Sequence, residues 1–137
     1  MKEKLQPLKI IHIALCLGIT LAYFFLGDLQ TFEFLNVPKI DSTSFIYLLI
    51  GFSAIFLGNL VYNQQLKAVD PKSKLEERLA PYMAASIVRW AILEGAAFLI
   101  LFLNKEFLVV GLFLIVYMIF TRPSLEGMKR DFAAVSK

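Results

Sequence analysis

Residues 80–103 read APYMAASIVRWAILEGAAFLILFL, and Arg89 and Glu94 are the only Asp, Glu, Lys or Arg among them. As an α-helix at about 1.5 Å per residue this stretch is about 36 Å long, enough to cross a hydrocarbon core of about 30 Å. Backbone N–H and C=O groups find no water in lipid, so a spanning segment of this kind pairs them within itself and is helical.

Three further apolar stretches lie outward from it, at about 8–26, 44–62 and 107–122. The last is the shortest. It reaches spanning length only with Lys105 and Glu106 at one end and Thr121 and Arg122 at the other, their polar heads at the interface. Pro123 then stops it, because proline has no N–H to continue the ladder. Of the 137 residues 58% are hydrophobic and 13 are Phe. A chain this short cannot hide so much apolar surface inside itself, so the excess faces lipid. The reading is an all-α integral membrane protein, one domain over 1–137, folded as a four-helix bundle. The first stretch is expected to be a permanent span: its apolar region is too long for a signal peptide, and no small-x-small cleavage site precedes Asp28.

Orientation follows from the basic residues. The first segment carries Lys2, Lys4 and Lys9. The 63–79 loop carries Lys67, Lys72, Lys74 and Arg78, and the 123–137 tail with its junction carries Arg122, Lys129, Arg130 and Lys137. Only Lys39 and Lys105 fall on the other side. The positive-inside rule puts both termini, the 63–79 loop and the short tail in the cytoplasm. The outer segment 27–43 holds Asp28, Glu33 and Asp41, with Phe32-Glu33-Phe34-Leu35 suited to a short interfacial turn. Asn104-Lys105-Glu106 is so short a link that the third and fourth spans must form an antiparallel hairpin.

Arg89 and Glu94 are the residues that demand an explanation. An ionised group at this depth costs at least a few kcal/mol unless paired, hydrated or neutralised. Five residues apart, they are separated by about 140° around the helix and about 7.5 Å along it, which is not the favourable i, i+4 spacing. Each is expected to find partners on other helices. His12, Asn59 and Tyr117 lie at the level Arg89 can reach, while Ser53 and Thr20 are the options for Glu94. Three readings stay open: a polar network that fixes helix packing, a proton, ion or ligand site, or a contact with another subunit. Glu94 is expected to face other helices rather than lipid and to spend much of its time protonated, since an apolar setting favours the neutral acid. Lys67, Lys72, Lys74 and Arg78 are candidates for contact with anionic lipid headgroups; the alternative is that they only set orientation. Ala14, Gly18 and Ala22, Gly51, Ala54 and Gly58, and Ala91 and Gly95 are small residues spaced for close helix packing.

Cys16 is the sole cysteine, so no intrachain disulfide forms, and it sits as a small apolar filler. With a single histidine, no Ser/His/Asp set and no metal-ligand spacing, neither enzyme action nor a metal or other cofactor is expected. The net charge of +3 comes without a nucleic-acid-binding signature, so nucleic acid is not an expected partner.

Residues 89–98, RWAILEGAAF, with Arg122-Pro123 after the fourth stretch, resemble a group of small uncharacterised bacterial inner-membrane proteins. In these an Arg-x-Ala-x-x-Glu-Gly core lies in a third span and an Arg-Pro pair follows the fourth. This resemblance covers most of the chain and implies the four-helix fold without a function. Ala91-Ile92-Leu93-Glu94-Gly95 is also similar to the stretch around the ion-carrying carboxylate in the proteolipid c subunit of rotary ATP synthases. The chain departs from that family in lacking its glycine ladder and its Arg-Gln-Pro turn, so the similarity implies only a carboxyl that can be protonated within lipid. The functional expectation is a non-enzymatic accessory or assembly subunit of a larger inner-membrane complex, in contact with the bilayer and a partner membrane subunit or its own copies. The alternative is a proton- or cation-translocating oligomer that uses Glu94 with Arg89.

Overall fold

The apolar runs become helices in the computed structural model, which describes residues 2–31, 41–42 and 44–136. In chain order these are α1 (Gln6–Leu26), α2 (Phe45–Lys67), α3 (Leu75–Leu103), α4 (Leu108–Phe120) and α5 (Leu125–Val135). No strand occurs among the described residues. Short 3-10 turns at Lys2–Leu5, Leu29–Thr31 and Lys105–Phe107 precede α1, follow it and lead into α4. The turn expected at Phe32-Glu33-Phe34-Leu35 lies outside the described residues.

Helices α1, α2 and α3 are long and apolar enough to cross a membrane, which marks the chain as a membrane protein. Their outward surfaces agree with that. Phe25, Phe52, Phe56, Phe102, Phe113 and Phe120 all stand exposed, forming an apolar surface far too large for a water-soluble monomer.

Helix α3 is the hub, packed against α1, α2 and α4, whereas α1 and α2 hardly touch each other. Its buried side, with Trp90, Leu93, Ala97, Ile100 and Leu101, makes the centre of the core. Without a hydrophobic drive between helices in lipid, close packing and interhelical hydrogen bonds hold such a bundle. The crossing of α1, α4 and α3 shows both. Tyr23 of α1 donates from its hydroxyl to the Ala97 carbonyl of α3 at 2.5 Å. To get there its ring lies directly on Gly111 of α4, where a Cβ would collide with the Tyr23 hydroxyl and sit 2.6 Å from Cζ. Gly51 of α2 similarly lets Val110 of α4 approach, and Gly58 receives the Arg89 side chain. Ala91, Gly95, Ala14 and Gly18 are different: they are exposed, and no side chain closes over Gly18 or Gly95.

The polar connections are shorter than the sequence suggests. Helix α2 continues beyond residue 62 to Lys67, and α3 already begins at Leu75, so the expected 63–79 loop shrinks to a turn between them. That turn is built on Asp70, whose Oδ1 accepts from Lys72 N at 2.9 Å and whose carbonyl accepts from Ser73 Oγ at 2.6 Å. Glu77 Oε2 accepts from Lys74 N at 3.3 Å and helps start α3. Glu76 and Glu77 stand in its first turn, where negative charge suits the helix dipole.

The C-terminal part departs further from expectation. The fourth stretch does not run to residue 122 but ends at Phe120. The tail is not an open extension but holds α5, turned by 100° from the Lys105–Phe120 helix. Two features force the turn. Pro123 disfavours helical geometry at the residue before it, and Ser124 Oγ accepts from Gly127 N at 2.9 Å, capping a new helix. Gly127, Met128 and Phe132 are the buried side of α5 and seat it back on the bundle.

Candidate functional site

The bend brings α5 against the end of the bundle where α2 finishes and α3 begins, and a polar cavity of about 310 Å³ opens there. Arg89 of α3, Arg122 of the α4–α5 turn and Arg130 of α5 line it, with Asp131 as its carboxylate. Tyr62, Tyr82, Tyr117, Asn59 and Thr121 add neutral hydrogen-bonding groups. The cavity therefore carries three guanidinium groups against one carboxylate.

Arg89 is held by an aromatic face rather than by an acid. Its guanidinium carbon lies 3.8 Å from the centre of the Tyr62 ring, a cation–π contact. Its Nε is buried with no hydrogen-bond partner. Asp131 is already engaged: it accepts from the Tyr62 hydroxyl at 2.6 Å and pairs with Arg130 Nε at 3.2 Å. Across the cavity Asn59 Nδ2 donates to the Tyr117 hydroxyl at 2.7 Å, linking α2 to α4. Of the residues nominated from sequence, Arg89, Asn59 and Tyr117 thus meet at one place.

His12 belongs to a neighbouring network. Its Nε2 is 2.8 Å from the Met118 carbonyl, so that nitrogen carries the hydrogen. Helix α4 stops two residues after Met118, which leaves this carbonyl among the orphan acceptors of a helix C-terminus. His12, the Thr121 hydroxyl at 2.7 Å and the Thr121 backbone N–H at 3.2 Å satisfy it. Trp90 packs against the His12 ring, centroids 4.7 Å apart, and donates from Nε1 to Thr121 Oγ1 at 2.9 Å. This is a chain of hydrogen bonds locking α1, α3 and α4 together.

Glu94 stands apart from both groups. It sits half-buried on the α1 side of α3, within electrostatic reach of Cys16, and not beside Arg89. It has no hydrogen-bond or ion-pair partner among the described residues. Neither Ser53 nor Thr20 meets it; the Thr20 hydroxyl is used on the Cys16 carbonyl at 2.7 Å.

The four basic residues nominated for headgroup contact also divide. Lys67, Lys72 and Lys74 are exposed. Arg78 instead donates to the Pro71 carbonyl at 2.5 Å and to Ser73 Oγ at 3.2 Å, with its guanidinium 5.4 Å from the Phe132 ring. It braces the α2–α3 turn against α5.

Sequence reasoning missed Tyr62, Tyr82, Trp90, Thr121, Arg130 and Asp131. For Arg130 and Asp131 a signal was available: Leu125, Met128, Phe132 and Val135 recur at helical spacing just after Ser124, announcing an amphipathic helix that would fold back. No group of three or more His, Cys, Asp or Glu side chains that could hold a metal occurs among the described residues. The chain matches no protein family, no curated protein and no solved structure.

Proposed function

We propose that the chain is a small, non-enzymatic inner-membrane protein that serves as an accessory or assembly subunit of a larger membrane complex. The observation that carries this reading is Glu94. A carboxyl within a spanning helix, half-buried and without a partner among the described residues, is costly until something satisfies it. Ala91 and Gly95 lie exposed on α3 near it and would let a second helix approach closely. A partner helix that offers a donor to Glu94 fits this face. The ion-translocating alternative draws no support from Arg89, which rests on Tyr62 instead of tuning Glu94.

The test is purification of the tagged chain from its native membrane in mild detergent. A defined heteromeric complex is expected, kept by Glu94→Gln and lost or weakened at least tenfold by Glu94→Leu, with the bundle itself folded in both. A complex indifferent to Glu94→Leu, or a chain that is monomeric throughout, defeats the proposal. A homo-oligomer whose proton or cation flux vanishes in Glu94→Gln would establish the alternative.

The proposal includes a topology. The chain crosses four times, with α4 as the short fourth span and both termini in the cytoplasm. Helix α4 alone, at 13 residues, would be about 20 Å long. The polar groups of Lys105 and Glu106 at one end and Arg122 at the other would extend it to the interfaces. Helix α5, with Lys129 and Arg130 exposed and Met128 and Phe132 buried, suits the cytoplasmic interface. Reporter fusions at residue 137 and within 68–74 are expected to read cytoplasmic, and fusions within 27–43 external; an external C-terminus would reject four spans with both ends inside.

A further inference from the structure

Beyond the cavity, a second depression of about 370 Å³ lies between α2 and α4, lined by Leu48, Phe52, Ile55, Val109, Phe113 and their neighbours and almost wholly apolar. The two lie end to end along the same pair of helices. On α2, Ile55 of the groove is one turn from Asn59 of the cavity. On α4, Leu114 of the groove is three residues from Tyr117. The Asn59–Tyr117 hydrogen bond marks the boundary. The result is two adjoining depressions, a cationic one at the α5 end and an apolar one beside it.

From this we infer that the α2–α4 groove holds one anionic phospholipid, its phosphate in the cavity with Arg89, Arg122 and Arg130 and an acyl chain between the helices. The charge argument is direct. Arg89 has no ion-pair partner among the described residues, and its buried Nε has none to hydrogen-bond. Asp131 is shared with Tyr62 and Arg130. A half-buried guanidinium that faces a cavity without an ion-pair partner is stabilised by an anion, and its planar fork suits a phosphate. The size argument agrees, since sites for small ligands occupy about 300–1,000 Å³. Free phosphate would satisfy the arginines equally well; the adjoining groove is what commits the site to a lipid. The leaflet, cytoplasmic, rests on the topology proposed above, and the reporter fusions test that independently of binding.

The purified full-length chain in a neutral detergent is titrated with dioleoyl phosphatidic acid, dioleoyl phosphatidylcholine and inorganic phosphate. Native mass spectrometry counts bound lipid, and the emission of Trp90, which is hydrogen-bonded to the cavity residue Thr121, follows occupancy. One phosphatidic acid per chain is expected, bound at least tenfold more tightly than phosphatidylcholine. Arg122→Gln with Arg130→Gln, both on exposed side chains, is expected to weaken it at least tenfold. Ile55→Phe with Val109→Phe, which fills the groove, is expected to weaken phosphatidic acid and leave inorganic phosphate unchanged. Equal binding of the two lipids, or no effect of the arginine pair, overturns the site. Phosphate binding as tight as phosphatidic acid, with the groove variant without effect, means the ligand is a free anion and overturns the lipid assignment. Should the groove variant fail to fold, the arginine pair and the lipid comparison still decide.

Discussion

Gly111→Ala is expected to destabilise the bundle by about 2–4 kcal/mol, although it adds a single methyl group to the first turn of α4. In most helices the same change stabilises, because alanine is the better helix former. Here the methyl would occupy the place of the Tyr23 ring. Overpacking of this kind costs about 1–3 kcal/mol. The ring cannot withdraw without giving up the hydrogen bond to Ala97, which adds about 1 kcal/mol. Denaturant unfolding in mixed micelles measures the loss. Tyr23→Phe removes the atom nearest the new methyl, so the double variant should be less unstable than the two single changes summed, with a coupling of about 1 kcal/mol or more. Gly111→Ala within about 0.5 kcal/mol of the parent chain would show that Tyr23 does not bridge α1 to α3 across α4.

The second large effect is expected at Trp90. Its side chain is fully buried, packs on His12 of α1 and donates to Thr121 after α4. Trp90→Ala removes the ring under His12 and opens a void, at a cost of about 3–5 kcal/mol. Trp90→Phe keeps most of the volume and loses only the indole N–H. Thr121 retains its bond to the Met118 carbonyl, so the cost falls to about 1–2 kcal/mol. Equal losses for Ala and Phe would place the energy in the hydrogen bond and not in the packing.

The legible part of this protein was the part governed by properties of one helix at a time. Apolar length revealed α1, α2 and α3, and helical geometry alone separated Arg89 from Glu94. The exact end of the fourth stretch was not legible, because Thr121 and Arg122 are compatible with a helix until the Ser124 cap and Pro123 compete with it. The partner of His12 could not be read either: it is a main-chain carbonyl, and any residue at position 118 would supply one. Arg89 was recognisable as a residue in need of a partner. That the partner is the face of Tyr62 depends on how α2 packs on α3, and Asp131 stands behind it only because α5 folds back through 100°. No local pattern around Arg89 contains that information, though the apolar spacing within α5 hints at it.

The hydrogen bond between His12 and Met118 joins residues 106 positions apart. At a synthesis rate of about 5–20 residues per second, the first helix leaves the ribosome roughly 5–20 s before its acceptor exists. Through that interval α1 would have to reside in the bilayer as a lone helix, with neither α3 nor α4 to lean on. Its composition suits that wait: no Asp, Glu, Lys or Arg occurs between Lys9 and Asp28, and most of its length remains exposed even in the finished bundle. The helix that closes the junction is thus the first to be made and among the last to be secured. Assembly in this chain would be gated by the arrival of its C-terminal third.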